Sequence, residues 1–254
     1  RVKAARQALQ TLRPIRAGVI RGLCRTVCGN RRARMKSGGI VMAWDDPEPD
    51  QILDWGPEDH EVIVLRLEEA VTQKPVALLW HYSGHPNSVW MLPCFSRDYP
   101  GVVEDLAFNQ VPGAVVMFLN GFCGDLDPYR HMGVTREIFS YPYYKEPGRD
   151  LTPNLQAMRR LGGILAADVI RLNDQIRIDE RVWRQVGIQR LEITGSVRQD
   201  GPGFSEHFDP QIETAVFRIG PVGFACAPFK PVAALGLNVK RHSPAPYTIT
   251  VGHT

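Results

Sequence analysis

Two short, turn-forming clusters hold most of the residues in this chain that could do chemistry. The first, Ser83-Gly84-His85-Pro86-Asn87, carries an imidazole in a Gly-His-Pro bend, with a second histidine, His81, just before it. The second, Asn120-Gly121-Phe122-Cys123-Gly124-Asp125-Leu126-Asp127-Pro128, carries two carboxylates, Asp125 and Asp127. An imidazole fixed by a following proline loses little rotational freedom on binding a metal. A carboxylate of suitable pKa, within hydrogen-bond reach of a proton, can act as a general base. The same residues also suit plain structural work: His85 as a turn residue, Asp98 and Asp125 as caps that organise loops. His81 would point along a strand and share no helical face with His85, so it reads as packing or as lining behind the site.

The elements that would position these clusters are short apolar runs. Val76–Trp80 leads into the first cluster and Ala114–Leu119 into the second. Runs of this length bounded by Gly and Pro read as buried strands, and ligand sites in open α/β sheets collect beyond the carboxyl ends of strands. Val62–Leu67 reads as a half-buried strand, and Ile15–Leu23, Val182–Ile193, Thr214–Ile219, Gly223–Ala227 and Tyr247–Val251 as further strands, with Gly220-Pro221 turning a hairpin. Helical spacing predicts helices over Val2–Leu12, Tyr99–Asn109, Leu155–Gln175 and Pro231–Lys240. Gly162-Gly163, inside the third of these, marks close packing against a neighbour. The stretch Gly29–Gly56, rich in Arg, Gly, Asp and Pro, reads as a long irregular loop, and Tyr129–Pro153 as a second. Interleaved strands and helices without an internal repeat predict a single α/β domain: a mixed β-sheet core flanked by helices.

At 254 residues the chain is long enough to bury a full core, and 44% hydrophobic with 22% charged residues is ordinary for a folded protein. No apolar run is long enough to span a membrane as a helix. The net charge of +3 hides an asymmetry. Residues 1–44 carry eleven Lys or Arg and no acid, which leaves 19 basic against 27 acidic residues in the remainder. A basic arm of this kind can meet nucleic acid or an anionic surface. It lacks the interleaved aromatics of a single-strand binder, so we expect no nucleic-acid partner and read it as a solvated face that meets acidic surface within the same protein. The five cysteines are odd in number and mostly far apart; Cys24 and Cys28 are a weak match to a zinc knuckle and a better match to buried thiols. Cytoplasmic and secreted locations both stay open.

The order of several motifs resembles the amino-terminal catalytic domain of the neutral/alkaline (non-lysosomal) ceramidase family and its bacterial relatives. The matching pieces are Asn30-Arg31-Arg32, the run His81–Pro86, Asp98-Tyr99-Pro100-Gly101, Asn120 through Pro128, and Gly236-Leu237 through Ser243-Pro244. The resemblance implies a zinc-dependent hydrolase of an amide bond, of the N-acyl sphingolipid type, acting on a small-molecule or lipid amide. It implies that His85 is a zinc ligand. It also aligns Gly124-Asp125-Leu126-Asp127-Pro128 with the turn that presents the family's catalytic serine, whose position Asp127 occupies. A carboxylate there would act as a general base and not as a nucleophile. The family's glutamate ligand falls on the turn Pro228-Phe229-Lys230, so Lys230 puts a cation where an anionic donor is expected. The remaining two family ligands would fall before Arg1 and after Thr254, so residues 1–254 are expected to be an internal portion of that domain. Three readings follow: a ceramidase-like zinc hydrolase, a catalytically inactive member that kept the fold and serves as a binding or structural domain, and, least favoured, a binder of nucleic acid or anionic surfaces through the basic first 44 residues. The aromatic stretch Phe139–Tyr144 is a candidate lining for an apolar pocket.

Overall fold

The computed structural model describes residues 2–89, 95–133, 152–179, 183, 186–194 and 211–253. The expected α/β class is found: helices flank mixed sheets. The first large sheet has the order β1 (Ile15–Leu23), β6 (Glu61–Glu69), β7 (Pro75–Tyr82), β8 (Val115–Asn120). Its first two pairings are antiparallel and the last is parallel. The second large sheet repeats that pattern with β10 (Val186–Thr194), β11 (Gln211–Ile219), β12 (Val222–Cys226) and β13 (Tyr247–Val251). A parallel pair needs a crossover, and each sheet has a helix in it. Helix α2 (Asp98–Phe108) joins β7 to β8, and α5 (Ala233–His242) joins β12 to β13.

The apolar pattern explains the layering. Along β6, Val62 and Val64 pack into a core formed with α2 and the long helix α4 (Thr152–Gln175), through Tyr99, Val103, Leu161, Leu165 and Val169. Ile63 and Leu65 point the other way, onto Val222, Phe224 and Ile249 of the second sheet. Successive strand residues face opposite sides, so a strand covered on both faces must be apolar at every position. This corrects the half-buried reading of Val62–Leu67, since Val62 through Leu65 are all buried. At roughly 1.5–3 kcal/mol for each large apolar side chain fully removed from water, this strand is a principal source of the hydrophobic stabilisation.

Residues 29–56 are a second correction, because they are not an irregular loop. They hold β3 (Arg32–Met35) between β4 (Ile40–Met42) and β5 (Ile52–Trp55), and β2 (Gly29–Asn30), which pairs with β9 (Leu126–Asp127). The strands are too short for period-two spacing to stand out against the Gly-Arg-rich composition. Two other helices are short or solvent-facing: α3 (Tyr129–Met132), and α1 (Val2–Gln10), which has no buried residue. The basic amino-terminal stretch meets acids as expected, in the pairs Arg16–Glu68 and Arg21–Glu61 between β1 and β6 and in the pair Arg34–Asp54. The stretch Phe139–Tyr144 lies outside the described residues.

Candidate metal centre

The strands deliver three loops to one place. After β7 ends at Tyr82, the His85 N–H donates to the Leu126 carbonyl at 2.9 Å, which holds the Gly-His-Pro bend against the second cluster. After β8, the loop Gly121–Asp125 returns, and the Gly124 N–H donates to the Pro231 carbonyl at 2.7 Å. After β13, the Gly252 N–H donates to the Asn120 carbonyl at 3.1 Å and the His253 N–H to the Phe229 carbonyl at 2.9 Å. Gly124 is required for this lacing, since a Cβ there would stand 2.6 Å from the Lys230 carbonyl oxygen and 2.9 Å from that of Pro231.

The loops enclose a pocket of about 410 Å³, lined by Arg31, Trp44, His85, Asn120, Lys230 and His253 among others. The Cys123 Sγ lies 3.4 Å from His85 Nδ1, and His253 stacks on His85 with ring centroids 6.3 Å apart. One donor atom from each of His85, Cys123 and His253 can be chosen so that all lie within 4.8 Å of one another. His253 has φ of +60°, sterically costly for a residue with a Cβ, and such strain collects at functional sites. Burial first, then the charges of Lys230, Arg31 and His253, push the His85 imidazole down to about 3. It is therefore neutral, with a lone pair to offer. Burial pushes the Cys123 thiol up to about 11. Imidazole nitrogen and thiolate sulfur are the donors zinc takes at about 2.0–2.3 Å, so the set has the donor chemistry of that ion.

Asp127 stands behind this pocket, fully buried. Its Oδ1 accepts from the Tyr129 N–H at 3.1 Å, and its Oδ2 is 3.7 Å from Arg31 Nη1 with no hydrogen-bond partner among the described residues. Arg31 in turn donates from Nη2 to the Gly124 carbonyl at 2.9 Å and lines the pocket. Burial raises the Asp127 carboxyl to about 6 against the opposing pull of the Tyr129 N–H and Arg31. That value lies close to neutrality, where a general base is most useful.

The other expected residues divide cleanly. Lys230 lines the pocket and shares its wall with His85. Asp125 and Asp98 are structural. The Asp125 Oδ1 accepts from the Ala233 N–H at 2.7 Å and caps α5, whose own N-cap, Val232, offers no side-chain bond. Asp98 accepts from the N–H groups of Tyr99 and Val89 at 2.7 and 2.9 Å. His81 is wholly buried away from the pocket. It donates from Nδ1 to the Leu119 carbonyl at 3.1 Å, which leaves Nε2 to accept from Lys240 Nζ at 3.4 Å. Burial first, then Lys240, pushes its pKa down to about 3. Cys123, His253 and Arg31 were not singled out from the sequence as site residues. They are far apart along the chain, and only the strand order brings them together.

Among the solved structures similar to the chain are two ceramidases. A neutral ceramidase from Pseudomonas aeruginosa matches with a TM-score of 0.65 at 14% identity over 99% of this chain and 47% of that one. A structure described as ceramidase complexed with C2 matches with a TM-score of 0.64 at 14% identity, over 98% of this chain and 48% of that one. The chain has a ceramidase-like fold. It spans about half the length of those structures, and at this identity the likeness is one of fold alone. No protein-family model and no curated protein matches the chain.

Proposed function

We propose that this ceramidase-like domain is a zinc-dependent hydrolase that cleaves an amide C–N bond of a small-molecule or lipid amide of the N-acyl type. The observation that carries this reading is the convergence of His85, Cys123 and His253 at a pocket lined by Arg31, which pairs with Asp127, a buried carboxylate whose Oδ2 accepts no hydrogen bond among the described residues. A zinc ion held by those three donors would keep a fourth position open and supply a Lewis acid toward a carbonyl oxygen. The chain's own groups account for the rest. Asp127, through Oδ2, takes a proton from the attacking water and returns one to the departing amine. Arg31 and Lys230, in the pocket wall, meet the negative charge that develops on the carbonyl oxygen. Trp44, beneath the Arg31 guanidinium at 5.3 Å, holds that group in position.

Lys230 favours a second reading, a domain that keeps the fold and only binds, because an ammonium repels a cation brought to the same pocket. Metal analysis of the whole protein separates the two. The hydrolase reading expects about one zinc per chain, lost in His85→Ala, with release of a fatty acid or amine from N-acyl amides. No bound zinc at micromolar free metal would remove it.

A further inference from the structure

Arg31 and Lys230 are the charged side chains that line the polar pocket, and no Asp or Glu lines it among the described residues. Gly124 lies between the two. Its carbonyl accepts from Arg31 Nη2 at 2.9 Å, and a Cβ on it would stand 2.6 Å from the Lys230 carbonyl oxygen. Arg31 is partly balanced by Asp127, whose Oδ2 is 3.7 Å from Nη1. Lys230 is exposed and pairs with no acid among the described residues, unlike Lys240, which meets both Asp59 and Glu61. Three lining residues also carry a buried polar atom with no hydrogen-bond partner among the described residues. They are Arg31, through the donor Nε, and Asn87 and Asn120, each through the acceptor Oδ1. Buried polar atoms are costly to leave unpaired, so each such atom at a pocket wall points to a group that a ligand brings.

A ligand that suits this wall offers an anion to the two cations and an N–H to the two amide oxygens. We infer that the pocket takes an N-acyl amino acid, its carboxylate between Arg31 and Lys230 and its amide N–H toward Asn87 and Asn120. The carboxylate of such a compound is one carbon from the amide nitrogen. Both groups are thus held in one small pocket while the acyl carbonyl stays beside His85. A phosphate ester of an N-acyl amino alcohol places its charge farther off, across at least two carbons and an oxygen. Zinc held through the Cys123 thiolate adds positive charge of its own, in the same sense. Lys230, an ammonium where the family resemblance expects a glutamate, then separates this substrate from uncharged lipid amides. Cleavage breaks the C–N bond, forms a C–O bond from water and sends a water proton to nitrogen, leaving a carboxylic acid and a free amino acid. That cleavage rests on the hydrolase reading, whereas the carboxylate site rests on the pocket wall alone.

Binding tests the site without any turnover. Isothermal titration of the whole protein should show N-decanoylglycine binding about tenfold tighter than N-decanoylethanolamine, which has a hydroxymethyl group in place of the carboxylate. Lys230 is exposed, so substitutions there leave the packing intact. Lys230→Gln should shrink the preference and Lys230→Glu should abolish or reverse it, with affinity for the neutral amide kept within about twofold. Equal affinity for the two compounds, binding of neither, or a preference unchanged in Lys230→Glu overturns the inference. Tighter binding of the phosphate ester of N-decanoylethanolamine than of N-decanoylglycine overturns it too, in favour of a phosphate site. A carboxylate preference in a protein that holds no zinc and hydrolyses no amide keeps this site and removes the hydrolase reading. Zinc-dependent hydrolysis of both amides with equal affinity and equal kcat/KM does the reverse.

Discussion

The thiol of Cys123 and the imidazole of His85 approach to 3.4 Å because the loops after β7 and β8 are bonded to each other, and not because any sequence spacing sets them side by side. The Gly-His-Pro bend alone suits a plain turn residue as well as a donor, and it is the family resemblance that points to His85, whereas neither Cys123 nor His253 carries a local signal of ligation. If the three act together, Cys123→Ser should weaken zinc binding by more than about 100-fold, beyond the cost of disturbing outer-shell partners alone. Cobalt substitution checks this separately, since the thiolate-to-metal absorption of the cobalt protein should vanish in the variant. Asp127 allows a second residue-level prediction. Its folded pKa of about 6 lies above the ordinary aspartate value near 3.9, so it favours the folded state below pH ~4 and that contribution is lost as pH rises through 6. Two units correspond to on the order of 3 kcal/mol for a group this buried. Asp127→Asn should therefore gain stability over the original protein between pH 4 and pH 7, with amide hydrolysis lost. Thermal melts of the metal-free proteins at both pH values measure it, and a constant difference between the two would refute the buried-charge account.

Among the elements, α4 is the one whose sequence signature and structure agree most closely, because its apolar stripe repeats over many turns and Thr152-Pro153 opens it. The Gly162-Gly163 pair within it splits into two roles that the sequence could not separate. A Cβ on Gly162 would stand 2.6 Å from the Val102 Cβ and 2.9 Å from the Tyr99 carbonyl oxygen of α2, whereas one on Gly163 would meet nothing within 4 Å. Gly162→Ala should thus force the two helices apart and cost about 1–3 kcal/mol. Gly163→Ala should add stability, about 0.5–1 kcal/mol, by removing unfolded-state freedom and restoring helix propensity. Denaturant melts of the two variants should move in opposite directions. Shorter elements were less legible. β3, β4 and β5 lie in a stretch whose Arg, Gly, Asp and Pro composition reads as loop, and strands three or four residues long leave no period-two signal against it. The register of β2 on β9, which brings Asn30 opposite Leu126 and so carries Arg31 to Asp127, has no local signal at all.

For the molecule as a whole, alternating strands and helices pointed to the α/β class, but not to the division of strands between two sheets. That division depends on long-range pairing, and what holds the sheets in register is partly ionic. Lys240 on α5, the crossover of the second sheet, reaches the start of β6 in the first sheet with Nζ 2.8 Å from Asp59 Oδ2 and 3.0 Å from Glu61 Oε1. Ser83 Oγ donates to the same Asp59 oxygen at 2.9 Å, and His81 faces Lys240 from β7. Burial pushes the Asp59 carboxyl up, yet Lys240, His81 and the Ser83 hydroxyl together outweigh it and hold the group below its usual value. Asp59 thus stays charged because Lys240 is there. Lys240→Ala would leave a buried carboxylate without its cation, at a cost on the order of 3–5 kcal/mol. Adding Asp59→Asn to that variant removes the stranded charge and should recover part of the loss, a coupling that a double-mutant cycle measures. Equal and additive losses from the two substitutions would mean that the sheets are held by the apolar layer of Ile63, Leu65 and Phe224 alone, with the ion cluster a passenger at its edge.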